Sequence, residues 1–299
     1  MDIPHADLTV DKDLAARLVT AQFPDLAAPV ELIAQGWDNA LFRLGDDLAI
    51  RMPRREVAAH LVEHEQRWLP TLQRLVELPL PVPVREGRPA ADYPFAWSII
   101  PWVPGTGGAH RTPAERDAYA RQFAEFFAAL HVPAPADAPH NPVRGVPLAD
   151  RTAAVHARLD AMAGRLADAV RAELRTAWDA GASAPSHIGS ALWLHGDPHP
   201  GNVVVAESGA LATVVDFGDV TSGDPATDLS AAWLHFTSAG RAAFRRRYEE
   251  LHETDASTWA RARAWAVSIG TSAFAASDGG NGPMARMGRD AIEQVLIDS

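Results

Sequence analysis

His195-Gly196-Asp197-Pro198-His199-Pro200-Gly201-Asn202, followed after an interval by Asp216-Phe217-Gly218, is the stretch on which the reading of this chain turns. Two apolar runs lie between these segments, Asn202 to Ala206 and Leu211 to Phe217, separated by Glu207-Ser208-Gly209. Apolar runs on either side of a Gly-containing turn predict a hairpin. A third run, Leu192 to Leu194, enters the loop, so a compact β island is expected. In such a hairpin the loop and the end of the returning strand face each other. Asn202 and Asp216 are therefore expected to lie close enough to share a cation.

Outward from this island the chain changes character. Val30 to Ala34, Ala40 to Leu44 and Leu48 to Met52 are short apolar runs separated by Gln35-Gly36-Trp37-Asp38-Asn39 and Gly45-Asp46-Asp47. That spacing predicts an antiparallel meander. A helix is expected over roughly 57–76, kinked or split at Pro70. Leu80-Pro81-Val82-Pro83-Val84 reads as an extended edge segment, and Phe95 to Val103 as a strand running into a linker. From there helices dominate. Thr112-Pro113-Ala114-Glu115 has the form of a capping box with Pro at the first helical position. The helix it opens carries Phe123, Phe126, Phe127 and Leu130 on one face. A second helix is expected from Arg151 to Ala180, and three more after the β island. The class is α+β, with a β-rich lobe over 1–103 and a larger, mostly helical lobe over 104–299.

Phosphoryl transfer from a nucleotide asks little covalent chemistry of a protein. It needs metal ions to neutralise the phosphates and a carboxylate to orient and deprotonate the accepting hydroxyl. The pattern H-x-D-x-x-x-x-N followed by D-F-G supplies these groups at the spacing used by protein kinases. Read so, Asp197 is the base, while Asn202 and Asp216 hold Mg²⁺. Each has a plainer reading. A lone Asp-Phe-Gly is a turn at a strand end, and His195 reads as a structural ring holding the loop. His199 is open between surface residue and substrate contact. Asp224, before Pro225, has the place of a helix N-cap.

The ordered set HGDPHPGN, VVDFGD and GDPATDL resembles the aminoglycoside-phosphotransferase family of antibiotic kinases, over about 36–229. The resemblance implies a bilobal protein-kinase-like fold. It also implies Asp197 as catalytic base, Asn202 and Asp216 as magnesium ligands, and Asp224 or Asp228 as an anchor for the catalytic loop. The donor would be ATP or GTP, with Mg²⁺ as cofactor. There is no G-x-G-x-x-G; the resemblance instead puts the turn of Gly36, Asp38 and Asn39 over the phosphates. Arg51 stands where kinases carry a phosphate-binding Lys, keeping the charge in a forked form. Leu48, Ile50 and Met52 share one face of that strand, so Arg51 points to the other.

Kinases pair this cation with a Glu on the next helix, and Glu56, Glu63 and Glu65 are candidates. Glu65 falls in the apolar stripe of Leu61, Trp68, Leu69 and Leu72, where a carboxylate needs a buried partner. Arg51 with Glu65 is therefore the expected pair. The linker from Ser98 to Val103 is expected to meet the base through its backbone, at Ile100 and Trp102. Pro101 has no N–H to offer.

The formal charge of −11 argues against nucleic-acid binding. It suits a cationic substrate, or simply a solvated surface. There is no cysteine, which excludes disulfides and thiolate metal sites. The first residues, MDIPHADLTVDKD, lack the apolar core of a signal peptide, and no run is long enough to span a membrane. A cytoplasmic protein is expected, a monomer or weak dimer, with a nucleotide and a small hydroxyl-bearing molecule as partners. Glu249, Glu250, Glu253, Asp255 and Asp278 are candidate contacts for amino groups. Trp233, Trp259, Trp265 and Phe274 could give apolar walls, although aromatics at helical spacing are more often core.

The alternatives are a macrolide kinase or a kinase of choline, homoserine or an amino sugar. A silent nucleotide-binding module and a metallohydrolase using His195-x-Asp197-x-His199 are further removed. No A-P-E segment follows Asp216, which disfavours a protein kinase.

Overall fold

Turn residues at close intervals fold the first hundred residues into an antiparallel meander. The computed structural model describes residues 5–276 and 282–298. They divide into two compact units, Asp2–Pro104 and Gly105–Ser299.

The first unit opens with α1 (Lys12–Gln22), whose N-terminus is capped by Asp11 accepting from the Leu14 N–H at 2.8 Å. Strands β1 (Val30–Gln35), β2 (Asn39–Leu44) and β3 (Leu48–Pro53) form the meander. Helix α2 (Glu56–Leu72) follows, then β4 (Arg85–Gly87) and β5 (Trp97–Pro101). All pairings are antiparallel, in the order β1-β2-β3-β5-β4. Phe42, Leu44, Ile50, Met52, Trp97 and Ile99 meet Leu14 and Leu18 of α1 in one core. Ala49, on the opposite face of β3, is buried as well, so the sheet is covered on both sides there.

Helix α2 is unbroken through Pro70, against the expected kink. Pro70 sits in the last turn, and the helix ends two residues later, at Leu72. The proline-rich segment before β4 forms no strand, but the Val84 N–H donates to the Ile99 carbonyl at 2.7 Å.

The second unit begins with β6 (Thr106–Gly107) and the one-turn α3 (Pro113–Arg116), whose capping box is complete. After a 3-10 turn comes α4 (Ala120–Leu130), which buries Phe123, Phe126, Phe127 and Leu130. Each such ring removed from water contributes roughly 1.5–3 kcal/mol. The single helix expected over 151–180 is two, α5 (Thr152–Ala161) and α6 (Asp168–Ala182). Gly164, at φ +81°, adopts a left-handed conformation between them, which ends one helix and lets the chain re-enter the next.

The β residues around the loop form two small sheets rather than one island. Strand β7 (Leu192–Leu194) pairs with β10 (Thr221–Gly223). Strands β8 (Val203–Val205) and β9 (Leu211–Val214) form the expected hairpin, extended by β6. Five helices follow among the described residues instead of three: α7 (Ala226–Leu229), α8 (Ala231–His235), α9 (Ser238–Leu251), α10 (Ala256–Ala276) and α11 (Pro283–Ile297). Helix α10 is apolar on most of its circumference and lies against α6, α7 and α11, as a central helix must. No helix among the described residues is long and apolar enough to cross a membrane.

Candidate active site

The loop between β7 and β8 is bent at Gly196, where φ is +88°. A Cβ at that position would lie 2.4 Å from the Asp219 carbonyl oxygen, so only glycine allows both the turn and the approach. The loop hangs from Asp228 of α7. That fully buried carboxylate accepts from the main-chain N–H of His195 at 2.7 Å and of Gly196 at 2.9 Å. Its Oδ2 also lies 3.3 Å from His131 Nε2, and the other nitrogen of that ring lies 2.7 Å from the Tyr248 hydroxyl.

Of the two anchor candidates, Asp228 has the task. Asp224 instead accepts from the Ala226 N–H at 3.0 Å, as a cap, and pairs with Arg261 at 2.6 Å.

His195 is structural in its contacts. Its Nδ1 accepts from the Asp197 N–H at 3.2 Å, and its Nε2 donates to the Val215 carbonyl at 3.0 Å. Both ring nitrogens are engaged, so neither is available to a metal.

A second ring steadies the loop from below. His235 Nε2 donates to the Pro198 carbonyl at 3.0 Å, and its Nδ1 accepts from the Tyr119 hydroxyl at 2.9 Å. Burial, then the nearby positive charge of Arg116, holds the His235 imidazole well below its usual 6.5. The unfolded chain therefore takes up a proton near pH 6.5 that the folded protein refuses. Its contribution to stability is complete above that value and is lost as the pH falls from there toward the folded value. The urea midpoint is expected to fall between about pH 7 and pH 5, and to fall less in H235Q. Equal pH dependence in the two proteins would refute this.

Asp197 is mostly enclosed, with 18% of its side chain exposed. Arg144 Nη2 donates to its Oδ1 at 2.9 Å, and His199 Nε2 lies 3.3 Å from its Oδ2. His199 Nδ1 accepts from the Gly201 N–H at 3.0 Å, which leaves Nε2 as the protonated nitrogen facing the carboxylate. Burial alone would raise the Asp197 carboxyl. His199, Arg144 and His195 outweigh it and hold the group below the usual carboxylate range. Asp219 behaves in the opposite way: burial, then the charge of Asp197, pushes its carboxyl up.

Asn202 joins Asp197 to the hairpin. Its Nδ2 donates to the Asp197 carbonyl at 2.9 Å, and its own carbonyl accepts from the Val215 N–H at 2.9 Å. The ladder pairing Val203 with Val214 carries Asp216 to the same end of the hairpin. Asp216 has φ +63° and is the one non-glycine residue at positive φ among the described residues. A strained conformation of that kind persists where surrounding structure imposes it, often at functional sites. With its Nδ2 committed, Asn202 has Oδ1 left as a donor, and Asp216 adds a carboxylate. Such hard oxygen donors fit Mg²⁺, which usually takes one or two protein ligands and otherwise water and phosphate. Among the described residues no three His, Cys, Asp or Glu side chains are placed together to hold a metal ion.

The nucleotide-side candidates all lie in the first unit. Gly36 and Asn39 close the β1–β2 turn, with the Gly36 N–H donating to the Asn39 carbonyl at 2.9 Å. Arg54 Nη1 donates to the Gly36 carbonyl at 2.7 Å, and Arg55 Nη1 to Asp38 Oδ1 at 3.0 Å. Asn39 Oδ1 is buried without a hydrogen-bond partner. Arg51 Nε lies 2.7 Å from Glu65 Oε2, with 13% and 5% of the two side chains exposed. Glu65 is buried among Val62, Trp68, Leu69 and Leu72, while Glu63 and Glu56 are exposed. Ile100 pairs with Ala49 in the sheet. The Trp102 N–H already donates to the Asp47 carbonyl at 2.8 Å, and Arg43 stacks on its ring. That leaves Trp102 its carbonyl, rather than its N–H, for a purine.

Three of the five acids suggested for amino groups are engaged elsewhere. Glu250 is held by Arg247 at 2.9 Å, Glu249 lies 3.9 Å from Arg245, and Asp255 caps the start of α10 through the Thr258 N–H. Glu253 is exposed, and Asp278 lies outside the described residues. Trp233, Trp259, Trp265 and Phe274 are buried core.

Several residues at the site escaped the sequence reading: Arg144, Asn141, Asp219, His131 and His235. Asn141-Pro142 and Gly145 mark a turn, but nothing local ties Arg144 to a carboxylate 53 residues on.

The phosphotransferase enzyme family is matched over residues 29–265. Among curated proteins none matches the chain in sequence. Solved structures are similar across nearly the whole chain. The GDP complex of wild-type aminoglycoside 2'-phosphotransferase-IIIa is 17% identical with a TM-score of 0.72, over 97% of this chain and 100% of its own. Macrolide 2'-phosphotransferase MphH from Brachybacterium faecium is 20% identical, TM-score 0.60, over 93% and 98%. ADP-bound aminoglycoside phosphotransferase APH(2'')-Ib is 15% identical, TM-score 0.59, over 96% and 99%. At these identities the likeness shows the fold, which is the kinase-like α+β fold of those enzymes.

Proposed function

Because the chain belongs to the phosphotransferase enzyme family, and so is a small-molecule phosphotransferase acting on hydroxyl groups, we propose that it transfers the γ-phosphate of ATP or GTP directly to an aminoglycoside-like acceptor. The observation that carries this reading is the bond from Asn202 Nδ2 to the Asp197 carbonyl, which joins the base and a metal ligand in one rigid loop. The acceptor hydroxyl binds at Asp197. As its oxygen bonds to the γ-phosphorus, the β–γ bridging bond breaks, the nucleoside diphosphate leaves, and the hydroxyl proton passes to the Asp197 carboxylate. A carboxylate held below its usual range is ionised at neutral pH and ready to accept it. Mg²⁺, held by Asn202 and Asp216, would neutralise the phosphate oxygens.

Gly36, Asp38, Asn39, Arg51, Glu65, Ile100 and Trp102 form the nucleotide side of this reading. Arg51, oriented by Glu65, supplies the cation for the phosphates. The GDP complex and the ADP-bound form of similar enzymes support a purine nucleotide without choosing between the two. R51A is expected to raise the nucleotide KM about tenfold or more, the cost of about 1.4 kcal/mol or more of lost charged contact. An unchanged KM would remove Arg51 from the site. The same reading places the enzyme in the cytoplasm, where nucleotide is supplied.

A macrolide acceptor is the second reading, because Glu249, Glu250 and Asp255 are engaged by arginines or as a helix cap rather than left for amino groups. The test is nucleotide consumption against aminoglycosides, macrolides, choline, homoserine and amino sugars, each with ATP and GTP. Acceptor-dependent turnover with an aminoglycoside supports the first reading, and with a macrolide alone the second. Turnover only with a metabolite would overturn both.

A further inference from the structure

Arg144 reaches the site from the long segment between α4 and α5, and that segment is fastened without it. Thr221 Oγ1 donates to the Pro139 carbonyl at 2.9 Å and accepts from the Asn141 N–H at 3.2 Å. Asn141 Nδ2 donates to Asp219 at 2.7 Å, and its Oδ1 accepts from the N–H groups of Val143 and Arg144. At Gly145 the backbone runs directly against Gly223, where a Cβ would lie 2.2 Å from the Gly145 carbonyl oxygen. The catalytic loop has separate anchors, Asp228 and His235. The hydrogen bond from Arg144 Nη2 to Asp197 Oδ1 then reaches from one of these anchored pieces of chain to the other. Neither piece depends on that contact to keep its path.

We propose that Arg144 is a positioning residue for the transfer step, holding Asp197 by Oδ1 so that Oδ2 is presented to the acceptor hydroxyl. The proposal rests on Asp197 being the base. A planar guanidinium fixed at its root by the Asn141 turn sets the direction of a carboxylate, whereas an ammonium attracts it without setting an angle. Without Arg144 only the His199 contact at 3.3 Å would orient the carboxylate, and it would meet the hydroxyl in a productive pose less often. The penalty then falls on turnover and leaves ground-state binding nearly alone.

The test uses the full chain with nucleotide and its best acceptor, comparing wild type, R144A, R144K and D197N. In R144A kcat is expected to fall about 10- to 100-fold, with both KM values within about threefold of wild type. R144K should be intermediate. Guanidinium chloride at tens of millimolar should restore part of the R144A turnover, whereas sodium chloride at equal concentration should not, and D197N should gain nothing. R144A turnover within about twofold of wild type would overturn the proposal. So would a loss that guanidinium cannot restore and that tracks a lowered melting temperature.

Turnover surviving in D197N would remove the base reading, and this proposal with it. An inactive D197N beside a fully active R144A would remove the proposal alone. Crystal structures of wild type and R144A decide the matter even without a known acceptor. The Asp197 carboxylate is expected to leave its rotamer in R144A, and an unchanged rotamer would sink the idea.

Discussion

Replacing Asp197 with asparagine is expected to leave nucleotide binding intact and to lower phosphoryl transfer by two or more orders of magnitude. Asparagine keeps the shape of the side chain and offers Oδ1 to Arg144, so the loop should hold its path. The bond from Asn202 reaches the residue 197 main-chain carbonyl and does not depend on the side chain. What is lost is a group able to take the proton, and general-base catalysis is worth about 10²–10⁴ in rate. Nucleotide affinity by calorimetry, beside turnover with a saturating acceptor, separates the two effects. Transfer within tenfold of wild type would take the base role from Asp197. Loss of nucleotide binding as well would mean that the substitution disturbed more than the proton acceptor.

Removing the Asp228 carboxylate should have the largest effect on stability of any single change at the site. In D228A the N–H groups of His195 and Gly196 lose their acceptor while remaining buried, and His131 loses its neighbour. An unsatisfied buried donor costs about 1–3 kcal/mol, and breaking a buried charged network about 3–5 kcal/mol. The expected loss is therefore about 3–5 kcal/mol, read from urea unfolding of the two proteins. D228N keeps one acceptor oxygen and should fall between them. Because the loop carries Asp197, turnover of the folded fraction should also drop. A midpoint for D228A near that of wild type would show that the loop is held by something other than Asp228.

The difference between these two carboxylates shows where local sequence stops being informative. Asp197, Asn202 and Asp216 could be named because a loop and one hairpin bring them together within a few tens of residues, and the hairpin formed as expected. The Arg51–Glu65 pair was also legible, since strand alternation turned Arg51 away from its apolar neighbours and helical spacing put Glu65 in an apolar stripe. The choice between Asp224 and Asp228 was not legible. Both stand at one helix start, and which of them points at the loop depends on how α7 lies against β7. Likewise, the Trp102 N–H looked open to a purine until the structure showed it donating to the Asp47 carbonyl.

Periodicity and turn chemistry within the sequence determined the α+β class, the meander, the capping box at Thr112 and the hairpin that brings Asn202 and Asp216 to one end. These rest on interactions between residues close in the chain, and alternation, glycine turns and short loops record such interactions directly. Only the tertiary structure decided that Arg144 sits on Asp197, that His235 supports Pro198, that Asp228 suspends the loop, and that the acids of α9 and the start of α10 are engaged elsewhere. Those contacts join residues as many as 53 positions apart in the case of Arg144 and 37 in that of His235. Their energy comes from burial and charge in the folded interior, and an arginine or histidine leaves no periodic trace of the partner it will meet there.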